Sequence, residues 1–92
     1  MNSGMKRKIR VIVADDHPIF RGGLKQIIEE EEGIEIIGEA GDGQKALEMI
    51  LEKNPDVAIL DIDMPKKTGF EVLKELKKSD NSVKIIFLTM YK

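Results

Sequence analysis

Apolar residues along this chain fall into two alternating rhythms. Four short blocks are continuously apolar or apolar at every second position: Lys8 to Val13, Ile34 to Ala40, Asp56 to Asp61 and Val83 to Thr89. Blocks of that length and make-up predict strands. The unbroken run Val57-Ala58-Ile59-Leu60 suits a strand buried on both faces, as in a parallel sheet covered by helices. Ile85-Ile86-Phe87-Leu88 is also apolar enough for an interior strand, whereas Glu35 and Glu39 mark Ile34 to Ala40 as an edge. Between the blocks the period lengthens to that of a helix. Phe20, Leu24, Ile27 and Ile28 form one stripe. Ala46, Leu47, Ile50 and Leu51 form a second, and Val72, Leu73 and Leu76 a third. The order βαβαβαβ predicts an α/β fold with a parallel sheet and right-handed crossovers.

The residues between the blocks supply starts and stops. His17-Pro18 opens the first helix, since proline is well tolerated at the first helical position. Gly22 and Gly23 lie inside that helix at a cost of about 1 kcal/mol each relative to alanine. They are read either as a close-packing device or as merely tolerated. Glu29 to Glu32 form an acidic helix end that opposes the helix dipole and frays, and Gly33 stops it. Asp42 is the N-cap of the second helix, and Asn54-Pro55 breaks it. Thr68 and Glu71 have capping-box spacing at the start of the third helix. Ser79 to Ser82 form a polar loop.

A chain of 92 residues fits one small domain, read here as spanning residues 1–92. Hydrophobic residues at 41% and charged residues at 35% describe an ordinary water-soluble protein. A net charge of −2 gives no reason to expect direct nucleic-acid or membrane binding. Cysteine is absent, which excludes disulfides and thiolate chemistry. No apolar stretch approaches the roughly 20 residues of a membrane span. The polar, basic start from Met1 to Lys8 leads into no signal core. A cytoplasmic protein is expected.

The chemistry concentrates where strands end. Asp61 closes the apolar run of the third strand, and Asp15-Asp16 follow the first. Open α/β sheets place their active sites at the C-terminal ends of strands. If the two strands are neighbours, three carboxyl groups converge at one rim. Carboxylates within about 4–6 Å repel, and Mg2+ is the economical partner, being hard and oxygen-seeking. Asp61 is then a candidate nucleophile for a phosphoryl group. Thr89, ending the fourth strand at the same rim, could bond a phosphoryl oxygen. His17 next to Pro18 is read as a helix-start residue rather than as a metal ligand or phosphotransfer group. Pro65 and Gly69 are read as shaping the loop after Asp61, proline by fixing φ and glycine by permitting φ > 0.

These residues carry a family resemblance. Val13-Ala14-Asp15-Asp16-His17-Pro18, Ile59-Leu60-Asp61-Ile62-Asp63-Met64-Pro65, Gly69 and Phe87-Leu88-Thr89 closely resemble receiver domains of bacterial two-component response regulators. Phe20-Arg21 and Leu88-Thr89-Met90-Tyr91 look most like the subfamily whose receiver precedes a LuxR-type helix-turn-helix. The resemblance implies a flavodoxin-like fold with strand order 2-1-3-4-5, of which this chain carries 2-1-3-4. It implies that Asp61 accepts a phosphoryl group from a sensor histidine kinase. The catalysis implied is limited to the module's own phosphorylation and dephosphorylation. Asp16 and Asp61 would ligate Mg2+ directly with the backbone carbonyl of Asp63, Asp15 would act through water, and Thr89 would be the switch hydroxyl. A role for the Asp63 side chain is left open.

Helix 4, strand 5 and helix 5 of the family have no counterpart in the chain, nor does the strand-5 lysine that contacts the phosphoryl group. The first helix and one sheet face are therefore expected to lack a cover, and self-association is expected, by pairing or swapping around the fourth strand. Two other readings stand beside this one. The first is a self-associating fragment that is not phosphorylated. The second is a phosphatase of the haloacid-dehalogenase type, because Asp61-x-Asp63 matches the start of its DxDxT motif, although Pro65 occupies the place of the threonine.

Overall fold

The computed structural model describes residues 7–89. The basic start before Arg7 and the Met90-Tyr91 part of the subfamily motif lie outside the described residues. Seven elements alternate: β1 (Ile9–Ala14), α1 (Pro18–Glu29), β2 (Ile34–Ala40), α2 (Gly43–Lys53), β3 (Val57–Asp61), α3 (Gly69–Lys78) and β4 (Lys84–Leu88). Each strand lies within a residue of the block that predicts it. The four strands form one sheet in the order β2-β1-β3-β4, with every pair parallel. The flavodoxin-like arrangement with order 2-1-3-4 is therefore observed. The chain leaves β1 toward one edge, then crosses back to the other side of it. The order reverses between β1 and β3, and such a switch point opens a crevice at the strand ends.

Because the connections run in opposite directions from β1, the helices divide between the two faces. Strand parity assigns the side chains. Ile12, Ala14, Ala58 and Leu60 join Ala46, Leu47, Ile50, Val72 and Leu76 of α2 and α3 in the main core. Ile85 and Phe87 of β4 pack against this core from its margin. Each of the fully buried aliphatic side chains contributes about 1.5–3 kcal/mol. Three capping bonds hold the starts of α2 and α3. The Asp42 carboxylate accepts from the Lys45 N–H at 2.7 Å. Thr68 Oγ1 accepts from the Glu71 N–H at 3.1 Å while Glu71 Oε1 accepts from the Thr68 N–H at 2.8 Å, the reciprocal capping box.

The opposite face is thinly covered. α1 packs mainly over β2 and β1, and none of its residues is buried. Val13, Ile59 and Ile86 make one row across three strands. Exposure along that row rises from none at Val13 to 51% at Ile86. Ile27 of the α1 stripe is 65% exposed. The expected uncovered face is present among the described residues.

Three local expectations are corrected and one open alternative is resolved. Leu51, placed in the buried stripe of α2, is 46% exposed. The stripe is rotated toward Met49, which packs on the core instead. Gly22 and Gly23 have nothing within 4 Å of where a Cβ would stand, so the close-packing reading fails and the tolerated one holds. α1 ends at Glu29 rather than running to Gly33; the Glu30 and Glu31 N–H groups bond to the Ile27 and Ile28 carbonyls, tightening the last turn. Gly69 does not adopt positive φ; the left-handed residue of that loop is Lys66, at φ 71°.

A polar brace closes the sheet at the rim away from the crevice. The Asp56 carboxylate accepts from the Arg10 N–H at 2.8 Å and from Arg7 Nη2 at 2.7 Å. The Arg10 guanidinium in turn donates to the carbonyls of Lys53 and Asn54, at 2.9 Å each, where α2 ends. The Arg10 N–H, followed by the Arg7 charge, holds the Asp56 carboxyl below its ordinary range. Among the described residues no helix is long and apolar enough to cross a membrane.

Candidate functional site

Ala14 pairs with Leu60 across β1 and β3, so the next residues, Asp15 and Asp61, leave adjacent strands at the same level. The Asp15 N–H still reaches the Ala40 carbonyl at 3.0 Å, which extends the ladder one residue past β1. Both carboxylates are interior: Asp15 is 0% exposed and Asp61 2%. Asp16 is only partly buried. The sheet topology brings together three of the carboxylates that the sequence singles out.

Local bonds fix their orientations. Asp15 Oδ1 accepts from the His17 N–H at 2.6 Å, an Asx turn that swings the chain from β1 into α1. Arg21 of α1 donates to the Asp15 carbonyl oxygen through Nη1, and its Nε lies 3.3 Å from Glu39 Oε1 on β2. Lys25 Nζ meets the other Glu39 oxygen at 3.0 Å. That contact, with its charge attraction, raises the Lys25 pKa, and the same bond from Lys25 lowers that of Glu39. α1 is thus clasped to the edge strand, and Arg21 is held over the backbone of Asp15. Asp61 Oδ1 accepts from the Asp63 N–H at 3.2 Å.

The loop after Asp61 is locked between two helix starts. The Ile62 N–H reaches the Leu88 carbonyl at 3.3 Å, and the Gly69 N–H reaches the Ile62 carbonyl at 2.8 Å. On its other side, the Gly43 N–H at the start of α2 bonds to the Pro65 carbonyl at 3.1 Å. A Cβ on Gly43 would stand 1.9 Å from the Lys67 carbonyl oxygen, so only glycine admits this approach. Pro65 therefore does hold the loop, partly through its carbonyl, while the close approaches belong to Gly43 and Gly69.

The remaining candidates are placed more loosely. The Asp63 side chain is exposed and lies outside the group of atoms that could share an ion. Thr89 is exposed and follows Leu88, the residue that pairs with Asp61, so it stands at the same rim. His17 is the N-cap residue of α1 as read, but its side chain makes no capping bond. Its Nδ1 lies 3.1 Å from Asp15 Oδ1 and 3.0 Å from Asp16 Oδ1. One atom from each of Asp15, Asp16, His17 and Asp61 falls within a group no wider than 4.8 Å.

These residues fit a divalent cation. Asp15 Oδ2 is buried with no hydrogen-bond partner among the described residues, in a group already rich in negative charge. A buried carboxylate oxygen without a donor calls for a cation. The carboxylate oxygens of Asp15, Asp16 and Asp61 are the hard donors that Mg2+ prefers.

Sequence reasoning missed the contacts of His17, Arg21, Gly43 and Asp56. Only His17 had a signal, its adjacency to Asp15-Asp16. The others depend on which elements meet across the crevice or at the far rim.

Known proteins share this arrangement. The family model for the response regulator receiver domain matches residues 11–92. The transcriptional regulatory protein DegU of Brevibacillus brevis is 36% identical over 86 residues, covering 94% of this chain and 36% of its own length. The probable transcriptional regulatory protein NarL of Mycobacterium tuberculosis is 34% identical over 91 residues, covering 99% of this chain and 42% of the relative. The chain therefore spans well under half the length of these curated relatives. The solved signal receiver domain of NarL from Mycobacterium tuberculosis superposes with a TM-score of 0.90 at 34% identity, covering 95% of this chain and 70% of that one. A DNA-binding response regulator of the LuxR family from Staphylococcus aureus superposes at 0.85 with 38% identity, covering 91% and 70%. With sheet order, acidic crevice and family model in agreement, the chain belongs to the response regulator receiver domains of two-component systems.

Proposed function

We propose that this receiver domain accepts a phosphoryl group on Asp61. The observation that carries the reading is the placement of Asp61: a 2%-exposed carboxylate at the C-terminal end of β3, grouped within 4.8 Å with Asp15 and Asp16. An oxygen of Asp61 attacks the phosphorus of a phosphohistidine on a sensor kinase. The O–P bond forms as the P–N bond breaks, and the electron pair leaves on the imidazole nitrogen, which takes a proton from solvent. The Asp63 N–H holds Asp61 Oδ1 and so helps fix the orientation of the carboxylate. Asp15 and Asp16, with Asp61 and the backbone carbonyl of Asp63, would hold Mg2+, which supplies charge neutralisation for the incoming phosphoryl oxygens. The Thr89 hydroxyl donates to a phosphoryl oxygen and acts as the switch contact.

The added group brings roughly −1.5 to −2 charges to a rim already negative. That change is what a partner surface would read. By analogy with the LuxR-family relatives, the intact protein is a cytoplasmic transcription regulator whose DNA-binding part lies outside this chain. The receiver itself works as a phosphoacceptor and not as an enzyme with turnover on other substrates.

Incubation of the 92-residue chain with acetyl phosphate and Mg2+, followed by intact-mass spectrometry, tests this. One phosphoryl adduct is expected, absent in Asp61→Asn. No adduct would favour a non-phosphorylated, self-associating module, and turnover of a small phosphomonoester would favour a phosphatase. Self-association has its own support in the exposed row ending at Ile86 and in the uncovered Ile27 of α1.

A further inference from the structure

His17 is the only histidine of the chain, and its ring lies among the carboxylates instead of capping α1. Its Nδ1 stands 3.1 Å from Asp15 Oδ1 and 3.0 Å from Asp16 Oδ1. Only the contact with Asp15 Oδ1 has hydrogen-bond geometry, and that oxygen already receives the His17 backbone N–H; Asp16 Oδ1 is buried with no hydrogen-bond partner among the described residues. Hydrogen bonding therefore leaves this spacing only partly explained. An ion bonded to two neighbouring donors at about 2.1 Å each, at a right angle, holds them about 3 Å apart. That is the separation found here between nitrogen and oxygen. The buried Asp15 Oδ2, without a hydrogen-bond partner among the described residues, is a second and independent sign that the group is built around a cation.

We propose that His17 Nδ1 joins Asp15, Asp16 and Asp61 as a ligand, so that the crevice favours nitrogen-accepting divalent cations such as Ni2+ over Mg2+. The inference rests on the reading of the carboxylates as a cation site and adds to it a residue that sets selectivity. The chemistry is that of donor softness. Carboxylate and water suit Mg2+, whereas imidazole suits Ni2+, Co2+ and Zn2+, and affinities rise along the first transition row. A site of oxygens alone already binds Ni2+ more tightly than Mg2+. What distinguishes an imidazole ligand is that its removal weakens one ion and spares the other.

The test is calorimetric titration of the 92-residue chain and of His17→Asn with NiCl2 and, separately, MgCl2 at one fixed pH. Asparagine keeps a good N-cap residue and a polar side chain while removing the imidazole. Ni2+ affinity should fall roughly tenfold or more in the variant, at least the scale seen when a ligand's supporting partner is lost. Mg2+ affinity should stay within about twofold, which also reports that the variant is folded. Ni2+ affinity that is unchanged, or that falls only in step with Mg2+, overturns the assignment of His17 and leaves the carboxylate site standing. Failure of the unsubstituted chain to bind either ion overturns the cation site and the inference together.

Discussion

The backbone of Gly69 lies against the carbonyl of Asp61 so closely that a Cβ on Gly69 would stand 2.7 Å from that oxygen. The same atom would come within 3.0 Å of the Phe87 ring. The start of α3 is therefore packed directly on the residue that carries the chemistry. Gly69→Ala should destabilise the domain by about 1–3 kcal/mol, the usual cost of overpacking. Gly43→Ala should cost more, because its Cβ would meet the Lys67 carbonyl at 1.9 Å and the backbone cannot rotate aside as a side chain can. Urea unfolding of the two variants checks the order. Amide shifts at Ile62 and Asp63 should move in both.

Glycine at the other pair of positions has the opposite consequence. Gly22 and Gly23 sit in open surroundings in the middle of α1, with nothing to meet an added methyl. Gly22→Ala and Gly23→Ala should each stabilise the chain by up to about 1 kcal/mol, the helix-propensity difference alone. A rise in urea midpoint without a change in slope would be the signature. A fall at either position would mean that α1 is covered in solution by something that needs the space.

The contrast between these glycines shows what could be read in advance. Helix stripes and caps follow from local rhythm and from pairs such as Thr68 and Glu71, three positions apart, whereas the strand order came from the family resemblance. The meeting of Asp15, Asp16 and Asp61 was legible because parallel neighbours end at one rim. Which glycine is indispensable depends on where two loops touch, and neither Gly43-Lys67 nor Gly69-Asp61 is a sequence neighbour. Leu51 fails for a related reason. A stripe four residues wide can rotate toward Met49 or toward Leu51, and only the packed core decides. The positive φ lies at Lys66 rather than Gly69, where the Lys67 N–H turns back to the Pro65 carbonyl at 2.7 Å and closes a tight turn around Lys66.

Asp56 gives a pH dependence with a definite sign. Its carboxyl is more acidic in the folded chain than in the unfolded one, first through the Arg10 N–H and then through Arg7. Its contribution is fully present above the unfolded value, near pH 4, and is lost as pH falls through the lower folded value. Asp56→Asn should flatten that part of the stability profile, below about pH 4. Urea midpoints measured across this range for both proteins test it; parallel profiles would remove Asp56 as a contributor.

The open sheet face bears on association. Ile86 is half exposed at the end of a row that begins at the buried Val13, and Ile27 of α1 is also largely exposed. We expect the chain to associate through β4 and this face. Ile86→Lys should shift sedimentation equilibrium toward monomer while leaving the α2–α3 core intact. A monomer mass independent of concentration in the unsubstituted chain would reject the association outright.

Asp15 separates the electrostatic load of the site from its use. Its Oδ1 accepts the His17 N–H, and an asparagine carbonyl can do the same. Its Oδ2 has no hydrogen-bond partner among the described residues, in a group of carboxylates no wider than 4.8 Å with His17. Two unit charges at such separations repel by a few kcal/mol at an effective dielectric near 20, less whatever the neighbouring histidine offsets. Without divalent cations, Asp15→Asn should therefore be more stable than the parent, by about 1 kcal/mol. Mg2+ should stabilise the parent in proportion to the logarithm of its concentration above Kd and leave the variant nearly unmoved. The two stability curves should then cross as Mg2+ is raised. Curves that stay parallel would show that the carboxylates neither repel appreciably nor share the ion.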